Sequence, residues 1–280
     1  MRRALVVLLV GVVSASNPAL ATAQESVFLE ELTWTEVRDG IRAGKTTAII
    51  PTGGTEQNGP HMILGKHSIR VRFAAGEIAT RLGDALVAPV MAYVPEGEIA
   101  PPTGHMWAPG TLTLPPEYFA KVVEFAARSL AAHGIRDIVL IGDSGPNQAP
   151  LKAVADMLNK EWATTAVRVH HASAYYESQV GSRPGAKPIE GDFVAWLKAQ
   201  GEKAEDIGTH AGLGDTSLLL AVYPQGVRQG KLAPGRPGDG SGVTGDPTKA
   251  SAAYGKKGLD IAIQSAVRQI HELRVASRKQ

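Results

Sequence analysis

Short, continuous apolar runs alternate along this chain with longer amphipathic stretches. Residues 47–50, 85–90 and 137–141 read as strands buried on both faces of a parallel sheet, and 166–170 reads as a fourth. Helical spacing lies between them. In 68–82, Ile69, Phe73, Ile78 and Leu82 recur at three- and four-residue steps. The 115–133 stretch opens on two prolines and carries Phe119, Val122, Val123, Ala126, Leu130 and Ala131 as an apolar stripe. Gly134 follows it at the position of a left-handed cap. Further helical patterns cover 148–162, 213–222 and 248–275. This alternation predicts a single-domain, doubly wound α/β sandwich with a mostly parallel sheet. The glycine- and proline-crowded segment 230–247 breaks the pattern, as a flap or as an arm packed on another subunit.

The first 23 residues fall outside that alternation. Arg2 and Arg3 precede a ten-residue apolar run, and small-x-small sites follow around Ala21 and Ala23, the pattern of a secretory signal. The expected product is an exported, periplasmic or secreted chain of about 257 residues, long enough for one large core. It has no cysteine, so that core holds without disulfides. Losing Arg2 and Arg3 takes Lys+Arg from 29 to 27, against 27 Asp+Glu. Neutrality points away from nucleic acid and anionic membranes and toward a small-molecule substrate.

Four segments carry the chemistry. After the first strand, Glu56, Asn58, His61 and His67 crowd a loop broken by glycine and proline. After the second come Glu96, Glu98, His105 and Trp107, and directly after the third comes Gly142-Asp143-Ser144-Gly145-Pro146-Asn147. The fourth runs from His210 through Asp215 to Ser217 at a helix start. In a parallel sheet the first three loops leave the same edge, where open α/β sheets place their ligands. Each residue also has a plainer reading. Asp215 and Ser217 suit helix capping, Glu96 and Glu98 suit a solvated loop, and Trp107 suits a packing anchor. Ser144 follows a strand as an α/β-hydrolase nucleophile does, but 142–146 does not complete the Gly-x-Ser-x-Gly pattern; a turn serine bonded to backbone amides is the other reading.

Taken together the segments resemble the creatininase (creatinine amidohydrolase) family. Its Glu-Gln-His-Gly-Pro-His-Leu-Pro-Leu signature followed by Thr-Asp is echoed by residues 56–67, and its Pro-Gly-Thr by Pro109-Gly110-Thr111. Its Asn-Gly-His-Gly-Gly-Asn turn falls on 142–147, and its His-Ala-Gly-Glu-x-Glu-Thr-Ser on 210–217. The resemblance implies a three-layer α/β/α sandwich, a homo-hexamer, and a two-metal site that cuts cyclic or linear amides. At the family's five ligand positions this chain keeps Glu56 and has Asn58, His67, Ser144 and Asp215 at the others. An imidazole offers one lone pair and cannot bridge two ions as a carboxylate does, and Asn58 and Ser144 are poor zinc ligands. The expectation is therefore one divalent ion, zinc or manganese, on Glu56, His67 and Asp215, with no nucleotide or organic cofactor. His105, Asp143 and Ser144 are the candidate catalytic residues, and Trp107, Asn58 and His61 the candidate substrate contacts. The substrate class is a small amide, lactam or other cyclic C–N bond. A metal-independent hydrolase using Ser144 and an inactive small-molecule binding protein are the alternatives.

Overall fold

The computed structural model of the protein describes residues 26–181 and 191–278. The signal expected over 1–23 lies outside the described residues. Four strands, β1 (Thr47–Thr52), β2 (Ala85–Val87), β3 (Asp137–Gly142) and β4 (Arg168–His171), form one all-parallel sheet in the order β2-β1-β3-β4. The helices are α1 (Trp34–Arg42), α2 (Lys66–Leu82), α3 (Pro116–Ala132), α4 (Gln148–Glu161), α5 (Ala174–Val180), α6 (Phe193–Ala199), α7 (Ala204–Ile207), α8 (Leu213–Val222) and α9 (Ala252–Ser277). No described helix is long and apolar enough to cross a membrane.

Because successive strand side chains point to opposite faces, each continuous apolar run supplies two cores. Ala48, Ile50, Ile138 and Leu140 face Phe119, Val123 and Ala127 of α3 and Leu151, Val154 and Leu158 of α4. Ile49, Val139 and Ile141 face the other way, onto Val71, Ala74, Ala75 and Ile78 of α2, Tyr175 of α5, and Leu259, Ala262 and Ile263 of α9. The result is a three-layer α/β/α sandwich, as the apolar pattern and the resemblance both predict.

The departures have local causes. β2 stops at Val87, three residues before the predicted end, since the pairing Ala88 N–H to Ile49 O is followed by Pro89, which has no N–H to give. Phe73, read as part of the buried stripe of α2, is exposed; the buried face is Lys66, His67, Arg70, Val71, Ala74, Ala75, Ile78 and Ala79. Val122 of α3 is likewise exposed. Helix α1 has few apolar residues and is fixed instead by a capping box between Thr33 and Glu36. Segment 230–247 pairs with its own chain, Gly235 with Gly245 and Thr244 with His210.

At the end of β4, His171 Nε2 bonds Gln148 Oε1 at 3.0 Å, and burial, helped by Lys152, pushes its pKa down to about 4. An unfolded histidine takes its proton near 6.5, so between about pH 6.5 and 4 the unfolded chain binds more protons and stability falls as pH falls. The expected loss is up to about 3 kcal/mol. Urea midpoints at pH 7 and pH 5 check it, with a shallower pH slope expected in His171→Gln.

Candidate active site at the carboxyl edge of the sheet

β1 has β2 on one side and β3 on the other, so the chain leaves β1 and β3 toward opposite faces and opens a crevice at their carboxyl ends. Three stitches shape the loops there. Asn147 donates from Nδ2 to Gly53 O (2.9 Å) and Thr52 Oγ1 (3.1 Å), tying the turn after β3 to the end of β1. Gln57 N–H donates to Thr111 Oγ1 (3.1 Å), tying the Glu56 loop to the Pro-Gly-Thr segment. At Gly53 a Cβ would lie 2.5 Å from Ser68 Oγ and 2.7 Å from its Cα, so only glycine lets the first turn of α2 cross this closely. That approach brings Lys66, His67 and Arg70 beneath Glu56.

The crevice is a cavity of about 520 Å³. Its polar floor includes Glu56, Lys66, His67, Arg70, Asp143 and Asp215, and its rim His105, Ser144 and His210. A larger groove of about 830 Å³ runs beside β4, away from these groups.

Asp143, 1 % exposed, is the hub of the floor. Its Oδ1 accepts from His67 Nδ1 (2.6 Å) and Arg70 Nε (3.0 Å), and its Oδ2 from the Tyr175 hydroxyl (2.5 Å). Burial would raise the Asp143 pKa, but Arg70 and His67 outweigh it and hold the carboxylate ionised. His67 Nε2 meets Glu56 Oε1 at 2.8 Å, so both ring nitrogens point at carboxylates. Burial and Lys66 oppose its charge, yet Glu56 and Asp143 win and its pKa rises. Asp215 accepts from Lys66, Arg70 and the Ala211 N–H, and against burial the charges of Lys66 and Arg70 hold its pKa well down.

Glu56, 2 % exposed, is also held well below the usual carboxylate range, burial being outweighed by His67 and Lys66. His105 Nε2 lies 3.2 Å from its Oε2 and His210 Nδ1 3.8 Å from its Oε1. The two rings stack at 4.4 Å. Burial is the first cause lowering both pKa values, that of His210 to about 4 with Lys66 adding to it, so both are neutral imidazoles at pH 7. Gln57 sets their tautomers: its Nε2 is 2.9 Å from His105 Nδ1, and its backbone oxygen takes the His210 Nε2–H at 2.9 Å. Ligation by His105 would require the Gln57 amide to present its oxygen to Nδ1 instead.

Several expectations change. Glu56, His67 and Asp215 do not converge as ligands, because His67 spends both nitrogens on carboxylates and Asp215 is filled by three donors. Among the described residues, the group whose ligand atoms lie within 4.8 Å of one another is Glu56, His105 and His210. His105 thus stands against Glu56, at the rim of the cavity. Asn58 is fully buried and donates to Glu56 O (2.9 Å) and Ile63 O (3.0 Å), bracing the loop. His61, also fully buried, donates from Nε2 to Thr216 Oγ1 (3.0 Å) and pins that loop to α8. Trp107 is 53 % exposed, and none of these three lines the cavity. Ser144 lines it, but no described histidine bonds its hydroxyl. Glu96 is not solvated: it is 1 % exposed, and burial first, then the charge of Glu56, push its pKa up to about 10. It is a neutral carboxylic acid at pH 7.

Sequence reasoning passed over Lys66, Arg70, Gln57 and Tyr175. Lys66 and Arg70 did carry a signal, since with Ala74 and Ile78 they continue one four-residue row of α2, the row that proves buried.

Gly242, at φ +71°, seals this arrangement from segment 230–247, for a Cβ there would collide with Gln57 Oε1. Gly242→Ala is expected to displace Gln57 and weaken divalent-ion binding at Glu56, His105 and His210 by roughly ten- to a hundredfold, the usual effect of disturbing a ligand's supporting shell. Calorimetric titration of the two proteins with a divalent ion checks this.

A parallel α/β/α sandwich with ionisable groups converging at its switch-point crevice is the arrangement of an open-sheet α/β enzyme. The family model described as creatinine amidohydrolase matches residues 30–270, and the chain belongs to the creatininase family. Creatinine amidohydrolase of Pseudomonas putida is 28 % identical over 200 residues, 71 % of this chain and 73 % of that one. A mycofactocin precursor peptide peptidase of Mycolicibacterium smegmatis is 26 % identical over 231 residues, 75 % of this chain and 78 % of its own. The solved structure called "Creatininase Mn" superposes with a TM-score of 0.72 at 26 % identity, covering 89 % of this chain and 98 % of that one.

Proposed function

We propose that this cavity hydrolyses an amide C–N bond with one divalent ion, zinc or manganese, held by Glu56, His105 and His210. One observation carries the reading: an ionised, buried carboxylate faces two neutral imidazoles, a His₂Glu donor set suited to either metal. The set fits one ion. It does not fit the pair implied by the resemblance, since the other carboxylates of the floor, Asp143 and Asp215, are already bound by Arg70, Lys66, His67 and Tyr175.

When bound, the ion supplies a Lewis acid for the amide carbonyl. The chain's own groups do the rest. Glu56 and the stacked imidazoles orient the reacting group, Ser144 and Gly145 border it, and the apolar wall of Phe193, Val194 and Leu218 excludes water on the far side. His67 holds a proton between Glu56 and Asp143 at the cavity floor, positioned to pass toward a departing nitrogen. Creatinine amidohydrolase and the peptide peptidases among the relatives favour a small cyclic amide and a short peptide respectively, and the amide bond is what these substrates share.

The test is amine release from creatinine, other lactams and short peptides, with zinc or manganese and with chelator. Turnover of an amide that stops in chelator and returns with the ion supports the reading. Undiminished turnover in chelator, with a covalent serine probe mapping to Ser144, would replace it with the metal-independent alternative.

A further inference from the structure

Lys66 is an ammonium 1 % exposed at the bottom of the cavity. It bonds Asp215 Oδ2 and lies 3.5 Å from Glu56 Oε1, so it bridges two carboxylates from separate loops. Arg70, one helical turn on and 3 % exposed, bonds the other oxygen of Asp215 and reaches Asp143 Oδ1. Every oxygen of the Asp215 carboxylate is thereby met by a donor, the Ala211 N–H completing the set at 2.9 Å. A cation seated between buried Glu56 and a second, partly buried carboxylate is what a second metal ion would be. Here the chain supplies that cation from its own helix.

We propose that Lys66, braced by Arg70, is a resident cation occupying a second-ion position between Glu56 and Asp215, so that the site is closed to a second metal. This role rests on the reading of the cavity as a metal site but not on the ion at Glu56, His105 and His210 being bound. Removing the ammonium takes away the one cation between buried Glu56 and partly buried Asp215, and two carboxylates so placed bind a hard divalent cation or lose stability. Lys66 is thus a specificity element: it sets how many ions the floor can accept, and it holds the charge without exchange.

The experiment compares wild type with Lys66→Met, which keeps the length of the side chain, and Lys66→Arg, which keeps the charge. Each is dialysed against manganese and its ion content counted by elemental mass spectrometry. Lys66→Met is expected to hold one equivalent more than wild type, and Lys66→Arg the same number as wild type. In chelator Lys66→Met is expected to melt several degrees lower than wild type, and manganese to return most of that shift. Equal ion counts in wild type and Lys66→Met would overturn the proposal, as would two equivalents in wild type, which needs no variant to fold. The wild-type count separates the two claims. A count of zero removes the ion from Glu56, His105 and His210, while the difference between the proteins still judges Lys66.

Discussion

Glu56→Gln is expected to reduce amide hydrolysis by roughly 10²- to 10⁴-fold, the range usual for losing a group that acts directly on a reacting proton or ion. The amide keeps the size of the carboxyl but not its charge. Glu56 is contacted by His67 at 2.8 Å, His105 at 3.2 Å and Lys66 at 3.5 Å, and all three lose their common anion at once. His67 then keeps only Asp143 to support its proton, so its pKa should fall back toward the ordinary value. Glu96 loses the neighbouring charge that helps keep it neutral and should ionise at lower pH. The checks are kcat/KM on an amide found to turn over, and a circular-dichroism melt to confirm that the variant is folded. Unchanged turnover would remove Glu56 from the chemistry.

Arg70→Met is expected to be the most damaging single change to stability. Its guanidinium, 3 % exposed, joins Asp143 after β3 to Asp215 at the start of α8, and it is the only arginine among the described residues that bonds either carboxylate. Methionine fills much of the same space and answers neither charge. Stranding a buried ion by removing its partner costs about 3–5 kcal/mol. In a chain of this length that lowers Tm by roughly 6–20 °C. A calorimetric scan at pH 7 measures it. A shift under about 2 °C would mean that the cluster reorganises around Lys66 and His67, and that Arg70 is not what holds the two loops together.

The sheet was legible because each strand is buried on both faces, and a short, unbroken apolar run such as 137–141 between helical patterns suits a central parallel strand. The place of the chemistry was legible for the same reason, since parallel strands send the Glu56, Glu96 and Asp143 loops to one edge. Which side chains meet was harder to read. His67 has the spacing of a ligand, and its neighbours in sequence do not show that Asp143, 76 residues on, takes its second nitrogen. Asn58 and His61 look like loop residues aimed at a substrate. They prove to be the braces that shape the loop, a role set by carbonyls and a hydroxyl that only the folded chain brings to them. Lys66 and Arg70 were hidden by their type. Long basic side chains are rarely buried, and only the three carboxylates that the fold assembles around them make their burial tolerable.

The central claim is that the floor of this cavity accepts one divalent ion, on Glu56, His105 and His210, because Lys66 and Arg70 hold the rest. Metal content per subunit tests it most directly, by elemental mass spectrometry on protein prepared without chelator or an affinity metal and then incubated with zinc or manganese. About one equivalent is expected, lost in His210→Ala and kept in His61→Ala. Two equivalents, or none, would contradict the account.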